Sequence, residues 1–301
     1  MALLTRLTLS VLSILLLTSP GFAPIGARTV QTGTTAKPAL WVVRDADTTV
    51  YLFGTIHVLR PDVRWFHGRV KRAFDRADTL VLEVIPPDPA EAAAITARLA
   101  LDPDGPPLST KLDAATRARY LALLNTFGMP AAQLETARPW FAAITLSLLP
   151  IRKLGYQADA GVEDVLHKAA DHACKTVLPL EGFAEQIGFF ASLSDKTQIA
   201  FLSASIDDAA HAETEIGRMV AEWSAGRPEA LADDLNESFK DMPEVAETLL
   251  HARNRRWADW IGKRMARPGT IFLAVGAGHL AGDGSVLDEL AARGMTAKRV
   301  E

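Results

Sequence analysis

Two copies of the tetrad Gly-x-x-His stand near opposite ends of the chain, Gly54-Thr55-Ile56-His57 and Gly276-Ala277-Gly278-His279. Each directly follows an apolar, β-rich run, 49–53 (TVYLF) before the first and 270–275 (TIFLAV) before the second. Such a run reads as a buried strand that ends in a glycine turn with a histidine just beyond it. Sites in sheet proteins are built at the carboxyl ends of strands. Two histidines delivered the same way from distant segments therefore point to one shared site on one sheet. Imidazole is both the commonest side-chain metal ligand and the usual acid or base near neutral pH.

Strand and helix signals alternate in an order that supports this. The runs 39–43 and 49–53 flank an acidic turn and read as a hairpin. A helical spacing over 65–77 is followed by a third strand, 79–85, stopped by Pro86-Pro87. Three helices then occupy 89–101, 114–127 and 140–153, punctuated by prolines. A helix over 162–172 precedes a fourth strand, 175–181, where Pro179 marks an edge or a bulge. From 183 to 265 the chain reads as almost wholly helical, with breaks near 226–228 and 242–243. The strand 270–275, a helix over 286–293 and a short strand over 296–300 complete it. The expected fold is α/β: a central mixed sheet assembled from both ends of the chain, with a large helical cap between the two Gly-x-x-His halves.

Residues 1–27 read as a secretory signal peptide, with Arg6, an apolar stretch over 7–17 and a small residue, Ala27, at the cleavage point. The apolar stretch is short, and interrupted by Ser and Thr, for a membrane span; the alternative to cleavage is a signal retained as an anchor. Residues 28–37 are polar and rich in Thr and Gly, and read as a flexible leader. Residues 38–301 form the folded domain. Export places the chain in the periplasm or outside the cell, yet Cys174 is the single cysteine, so no intrachain disulfide is expected. Cys174 reads as a small buried hydrophobe. The net charge of −4 lacks the basic footprint of a nucleic-acid binder.

Four polar residues end or interrupt apolar strands: His57, Glu83, Glu181 and His279. A charge within a run as apolar as LVLEVI is costly unless it is paired or bound to a cation. Two imidazoles and one carboxylate suit a catalytic divalent metal such as Zn, Mn or Co, with His57, His279 and Glu83 as ligands. The second carboxylate then serves as a base toward bound water, and physics alone does not rank Glu83 above Glu181. Arg253 and Trp257 share one face of a helix, so Arg253 is a candidate for holding a substrate carboxylate or an oxyanion. Arg255, Arg256, His67, His211 and His251 read as solvated, and His167 and His172, five apart on one helix, make a poor ligand pair. No His-Glu-x-x-His helix and no Gly-x-Ser-x-Gly elbow occurs.

At these residues the chain resembles the TraB/GumN family, which includes the Tiki-type proteases. The resemblance runs through Leu-Phe-Gly-Thr-Ile-His57, Leu-Val-Leu-Glu83, the stretch from Gly161-Val-Glu163 to Glu181-Gly-Phe-Ala-Glu-Gln186, Arg253-Asn254-Arg-Arg-Trp257 and Val-Gly-Ala-Gly-His279. It covers residues 40 to 300. It implies a mixed α/β fold in a single domain, with the two motif histidines and a glutamate on a divalent metal. The choice of a peptidase rests on the resemblance alone. Two departures bear on the surroundings of the site: Glu163 where the family often has aspartate, and Gly182 where it often has threonine.

The expectation is thus an exported metal-dependent hydrolase acting on a peptide or small-molecule substrate, with catalytic residues Glu83, Glu181 and Arg253. The alternatives are a metal-independent, esterase-like hydrolase with His57 as general base, and a non-catalytic periplasmic binder of metal, haem or peptide. Export is directly checkable: mass spectrometry of the mature protein should find an N-terminus near Arg28, and an intact Met1 would contradict it.

Overall fold

A computed structural model describes residues 34–239 and 241–301, so the signal segment 1–27 lies outside the described residues. Among them, six strands form one mixed sheet in the order β4-β3-β5-β2-β1-β6. β1 (Leu40–Arg44) and β2 (Thr48–Thr55) are the expected hairpin, closed where Asp45 accepts from the backbone of Asp47 and Thr48. β3 (Thr79–Leu82) and β5 (Gly269–Gly276) fall on the expected third and fifth strands. β4 (Thr176–Pro179) is an edge strand, where Pro179 removes no ladder donor that the sheet needs. β6 (Lys298–Arg299) pairs with β1.

The directions of these strands matter most. β2, β5, β3 and β4 are neighbours and mutually parallel, with Thr55 opposite Gly276 and Leu82 opposite both Ala274 and Pro179. Four carboxyl ends therefore lie along one edge of the sheet. The chain segments that follow them begin side by side.

Side chains alternate between the two faces, as the strand period requires. Leu80, Leu82, Phe272 and Ala274 face one core, with Val70 and Phe74 of α1 (Gly68–Arg76) and Leu166 of α5 (Val162–His172). Val81, Ile271, Leu273 and Val275 face the other, with Trp257 and Ile261 of α11 (Ala252–Met265) and Leu290 of α12 (Val286–Ala292). Each fully buried Leu, Ile or Phe contributes roughly 1.5–3 kcal/mol, so two covered faces supply the bulk of the stabilisation.

The first core extends into the helical cap. It contains α2 (Pro89–Ala100), α3 (Ala114–Thr126), α4 (Pro139–Lys153), α6 (Phe183–Ala191), α7 (Asp195–Asp208) and α8 (Ala212–Ser224). Asp88, Asp113 and Ser194 cap three of these helices by accepting from backbone N–H groups at their starts. α9 (Pro228–Phe239) and the short α10 (Pro243–Ala246) lead back toward the sheet.

Two details differ from the sequence reading. Residues 34–37, read as part of the leader, are tied down: the Ala36 N–H donates to the Arg64 carbonyl at 2.8 Å, and Ala36 is fully buried. Cys174 is exposed rather than buried, at φ 52°, just past the end of α5. That is the position after a helix C-cap where the chain turns left-handed, a place usually given to Gly or Asn. Here the turn, not apolar burial, fixes the residue's place.

Candidate functional site

The parallel strand ends deliver the four strand-end residues together. His57 lies two residues beyond β2, Glu83 one beyond β3, Glu181 two beyond β4 and His279 three beyond β5. Strand-like pairing continues past β3 and β4, with the Glu181 N–H donating to the Glu83 carbonyl at 2.8 Å. The two tetrads also pack on one another. A Cβ at Gly54 would come within 3.0 Å of the Ala277 Cα, so close approach explains the glycine of the first motif. The Gly276 N–H of the second motif donates to Glu83 Oε1 at 2.5 Å.

Arg253 occupies the centre. Its Nη2 donates to Glu83 Oε2 and Glu181 Oε2, each at 2.7 Å. Nε donates to Glu181 at 3.0 Å. Nη1 donates to the Leu249 carbonyl at 3.1 Å and to His279 Nε2 at 3.2 Å. A guanidinium has five N–H donors, so all of them are engaged. The helix prepares this: a π-turn over Glu247–His251, in which the Ala252 N–H reaches the Glu247 carbonyl, immediately precedes α11. Such turns recur at functional sites. Arg253 also stacks on Trp257, one turn on, with its guanidinium carbon 4.6 Å from the ring centre.

The two carboxylates differ in their surroundings. Glu181 accepts from Arg253, from Trp257 Nε1 at 3.1 Å and from Arg256 Nη2 at 3.1 Å. Its lone pairs are largely spent on structural donors. Glu83 takes Arg253, Gly276 and Gln186 Nε2 at 3.1 Å. Burial raises its proton affinity, and the nearby Arg253 and His57 oppose this without cancelling it. Glu83 is therefore the carboxyl that holds a proton more tightly than an ordinary glutamate.

Both histidines are held through Nδ1. His57 Nδ1 lies 2.6 Å from Glu163 Oε1, which the Thr55 hydroxyl also reaches. Burial pushes the Glu163 carboxyl up, but the His57 charge and hydrogen bond and the Thr55 hydroxyl outweigh it and hold its pKa below the usual value. His279 Nδ1 lies 2.6 Å from Asn254 Oδ1, and Asn254 Nδ2 donates to the Gly284 carbonyl at 2.7 Å. Because arginine only donates, His279 Nε2 accepts, and Nδ1 carries the proton. Burial, then the charges of Arg253, His57 and His251, set the His279 pKa well below its ordinary 6.5.

The structure thus brings together His57, Glu83, Glu181, Arg253 and His279, and adds partners that sequence reasoning passed over. Glu163 stood in the family motif and was read only as a departure near the substrate. Asn254 adjoins Arg253, and Gln186 lies five residues after Glu181. Arg256, read as solvated, reaches Glu181 while its side chain stays 45% exposed. Arg255 is equally exposed and pairs with Glu247 instead.

The arrangement does not present a metal ligand set. Among the described residues no three His, Cys, Asp or Glu side chains gather to hold an ion. The guanidinium already stands between the two carboxylates and against the His279 lone pair, and a dication there would meet a fixed positive charge.

A parallel-centred α/β sheet with a buried histidine–carboxylate–arginine cluster at its carboxyl edge defines the class. Residues 39–299 match the TraB/PrgY/gumN family, and the chain belongs to it. The chain is 26% identical over 252 residues to proteins described as uncharacterized protein YbaP in Escherichia coli (strain K12) and Shigella flexneri, covering 83% of this chain and 90% of each relative. An uncharacterized protein of Treponema pallidum (strain Nichols) is 23% identical over 262 residues, 82% of this chain and 78% of its own length. No solved structure matches the chain.

Two outcomes follow. Replacing Arg253 by Ala leaves two buried carboxylates facing each other and should cost about 3–5 kcal/mol in a urea titration; an unchanged midpoint would contradict the central position given to it. His279 binds its proton more weakly folded than unfolded, so its contribution to stability is lost as pH falls through its unfolded value of 6.5. Glu83 has the opposite sign, favouring the folded state as pH falls toward 4.5. The stability of wild type relative to His279→Gln should be level above about pH 6.5 and fall below it, by at most about 1.4 kcal/mol per unit. A difference that stays level to about pH 5 would contradict the buried neutral imidazole.

Proposed function

We propose that this chain is an exported hydrolase of acyl bonds, in peptides or small esters, in which His57 is the general base and Glu163 orients it. The observation that carries the reading is the pair of buried His57 and partly buried Glu163, 2.6 Å apart at the carboxyl end of β2. A carboxylate on Nδ1 fixes the ring and leaves Nε2 to accept a proton, the arrangement that activates water in unrelated hydrolases.

In this reading Nε2 removes a proton from water as the hydroxide adds to the carbonyl carbon. Glu163 balances the imidazolium, and the proton passes to the departing amine or alkoxide. Glu83 is the second acid, since burial strengthens its hold on a proton. Arg253 and Glu181 are positioning residues. The oxyanion role expected of Arg253 requires one of its five bonds to open. Export belongs to the same reading and rests on residues 1–27. No helix among the described residues is long and apolar enough to cross a membrane.

A divalent metal, with His57, His279 and Glu83 as ligands, is the second reading. One observation favours it: both imidazoles are held by acceptors at Nδ1, as metal-ligating histidines are. It requires Arg253 to withdraw from His279.

The test is turnover of an ester and peptide panel by the full chain, with and without exhaustive chelation. His57→Ala should lose about 10²–10⁴-fold with the fold intact, Glu163→Gln should lose part of that, and wild-type activity should survive chelation. Wild-type turnover by folded His57→Ala would end the proposal. Activity lost to chelation and restored by Zn, Mn or Co would transfer the site to the second reading, and tight ligand binding without turnover would make the chain a binder.

A further inference from the structure

The reacting cluster is closed. His57, Glu83, Glu181, Arg253 and His279 are each 4% exposed or less. A substrate must therefore approach from a neighbouring space. Solvent reaches the cluster's partners from two sides, at Glu163, whose side chain is 14% exposed, and at Arg256.

Between the segment that follows His57 and the segment around Glu163 lies a cleft of about 680 Å³, within the size range of small-molecule sites. One wall is built from residues 60–67, which follow His57 directly. The other is built from Gln157, Asp159, Ala160 and Val165, which flank Glu163 in the sequence while Glu163 itself is not part of the lining. The walls are stitched beside the site: Leu59 and Gln157 exchange backbone hydrogen bonds of 3.2 and 2.9 Å, and the Val162 N–H donates to the Ile56 carbonyl at 3.1 Å. Gly161 packs so tightly on the His57 carbonyl that a Cβ there would collide with it.

Val63, Trp65, Phe66, Ala160 and Val165 give the cleft an apolar lining. Its charged groups are unequal. Arg60 is paired with Asp62 at 3.2 Å, and Asp159 adds a negative charge to the other wall. Arg64 is exposed, and among the described residues its side-chain partner is a hydroxyl, Thr35 Oγ1 at 3.2 Å. It is the guanidinium most ready to take a carboxylate, which it can bind through two parallel hydrogen bonds.

We infer that this cleft binds the substrate of the His57 site, and that it takes an apolar side chain and a free carboxylate on one unit, the chemistry of a peptide's C-terminal residue, with Arg64 on the carboxylate. The inference rests on the hydrolase reading for its link to His57, but its test is an equilibrium one. N-acetyl-phenylalanine and its amide are titrated calorimetrically into the full chain. The acid should bind roughly tenfold more tightly than the amide. Arg64→Ala, a change at an exposed side chain, should erase that preference. Filling the cleft by Ala160→Trp, or by Val63→Trp if the first does not fold, should abolish binding of both, while Arg256→Ala should change neither. Equal binding of acid and amide, no binding, a preference that survives Arg64→Ala, or one lost with Arg256 would each overturn it. These titrations need no turnover, so failure of the hydrolase reading remains distinguishable from failure of the cleft.

Discussion

The arrangement of the site depends on one guanidinium. Two carboxylates buried side by side at the end of a sheet repel each other and lose their water, at a cost of several kcal/mol per ion. Arg253 answers both at once, with charge-assisted bonds to Glu83 and Glu181, and spends its last donors on the Leu249 carbonyl and His279. The π-turn before α11, the Trp257 stack and the Asn254 anchor follow as devices that hold this arginine and its histidine partner in register. Without them the strand ends would place the same residues nearby but would not fix their hydrogen bonds.

The same hub divides the chemistry. Glu181 is surrounded by donors and serves geometry. Glu83 has a raised proton affinity, and His57 lies against a carboxylate of its own, Glu163. The cluster is closed to solvent, and solvent reaches its partners at two places, Glu163 and Arg256.

Much of this was legible in the sequence because it follows from strands. An apolar run ended by glycine announces a buried strand, and a polar residue after it announces the strand's carboxyl end. His57, Glu83, Glu181 and His279 could be singled out on that ground alone. That the four strands are parallel neighbours depended on long-range pairing that periodicity does not encode. Glu163 and Asn254 were missed for a related reason. Each sits on a helix among ordinary polar residues, and only the tertiary approach of α5 and α11 gives it a histidine. Cys174 was misplaced because composition favours burial for cysteine, whereas the left-handed turn after α5 put it in solvent.

The central claim is that both histidines carry their protons on Nδ1, His57 toward Glu163 and His279 toward Asn254, with Arg253 rather than a metal ion against the His279 lone pair. Nitrogen-15 NMR of the imidazoles in the full chain reads this directly. Both rings should show protonated Nδ1, His279 should remain neutral as pH falls through its ordinary 6.5, and neither pattern should move on chelation or on addition of zinc. A proton on Nε2 of either ring, or a His279 Nε2 resonance that shifts when zinc is added or removed, would contradict the account.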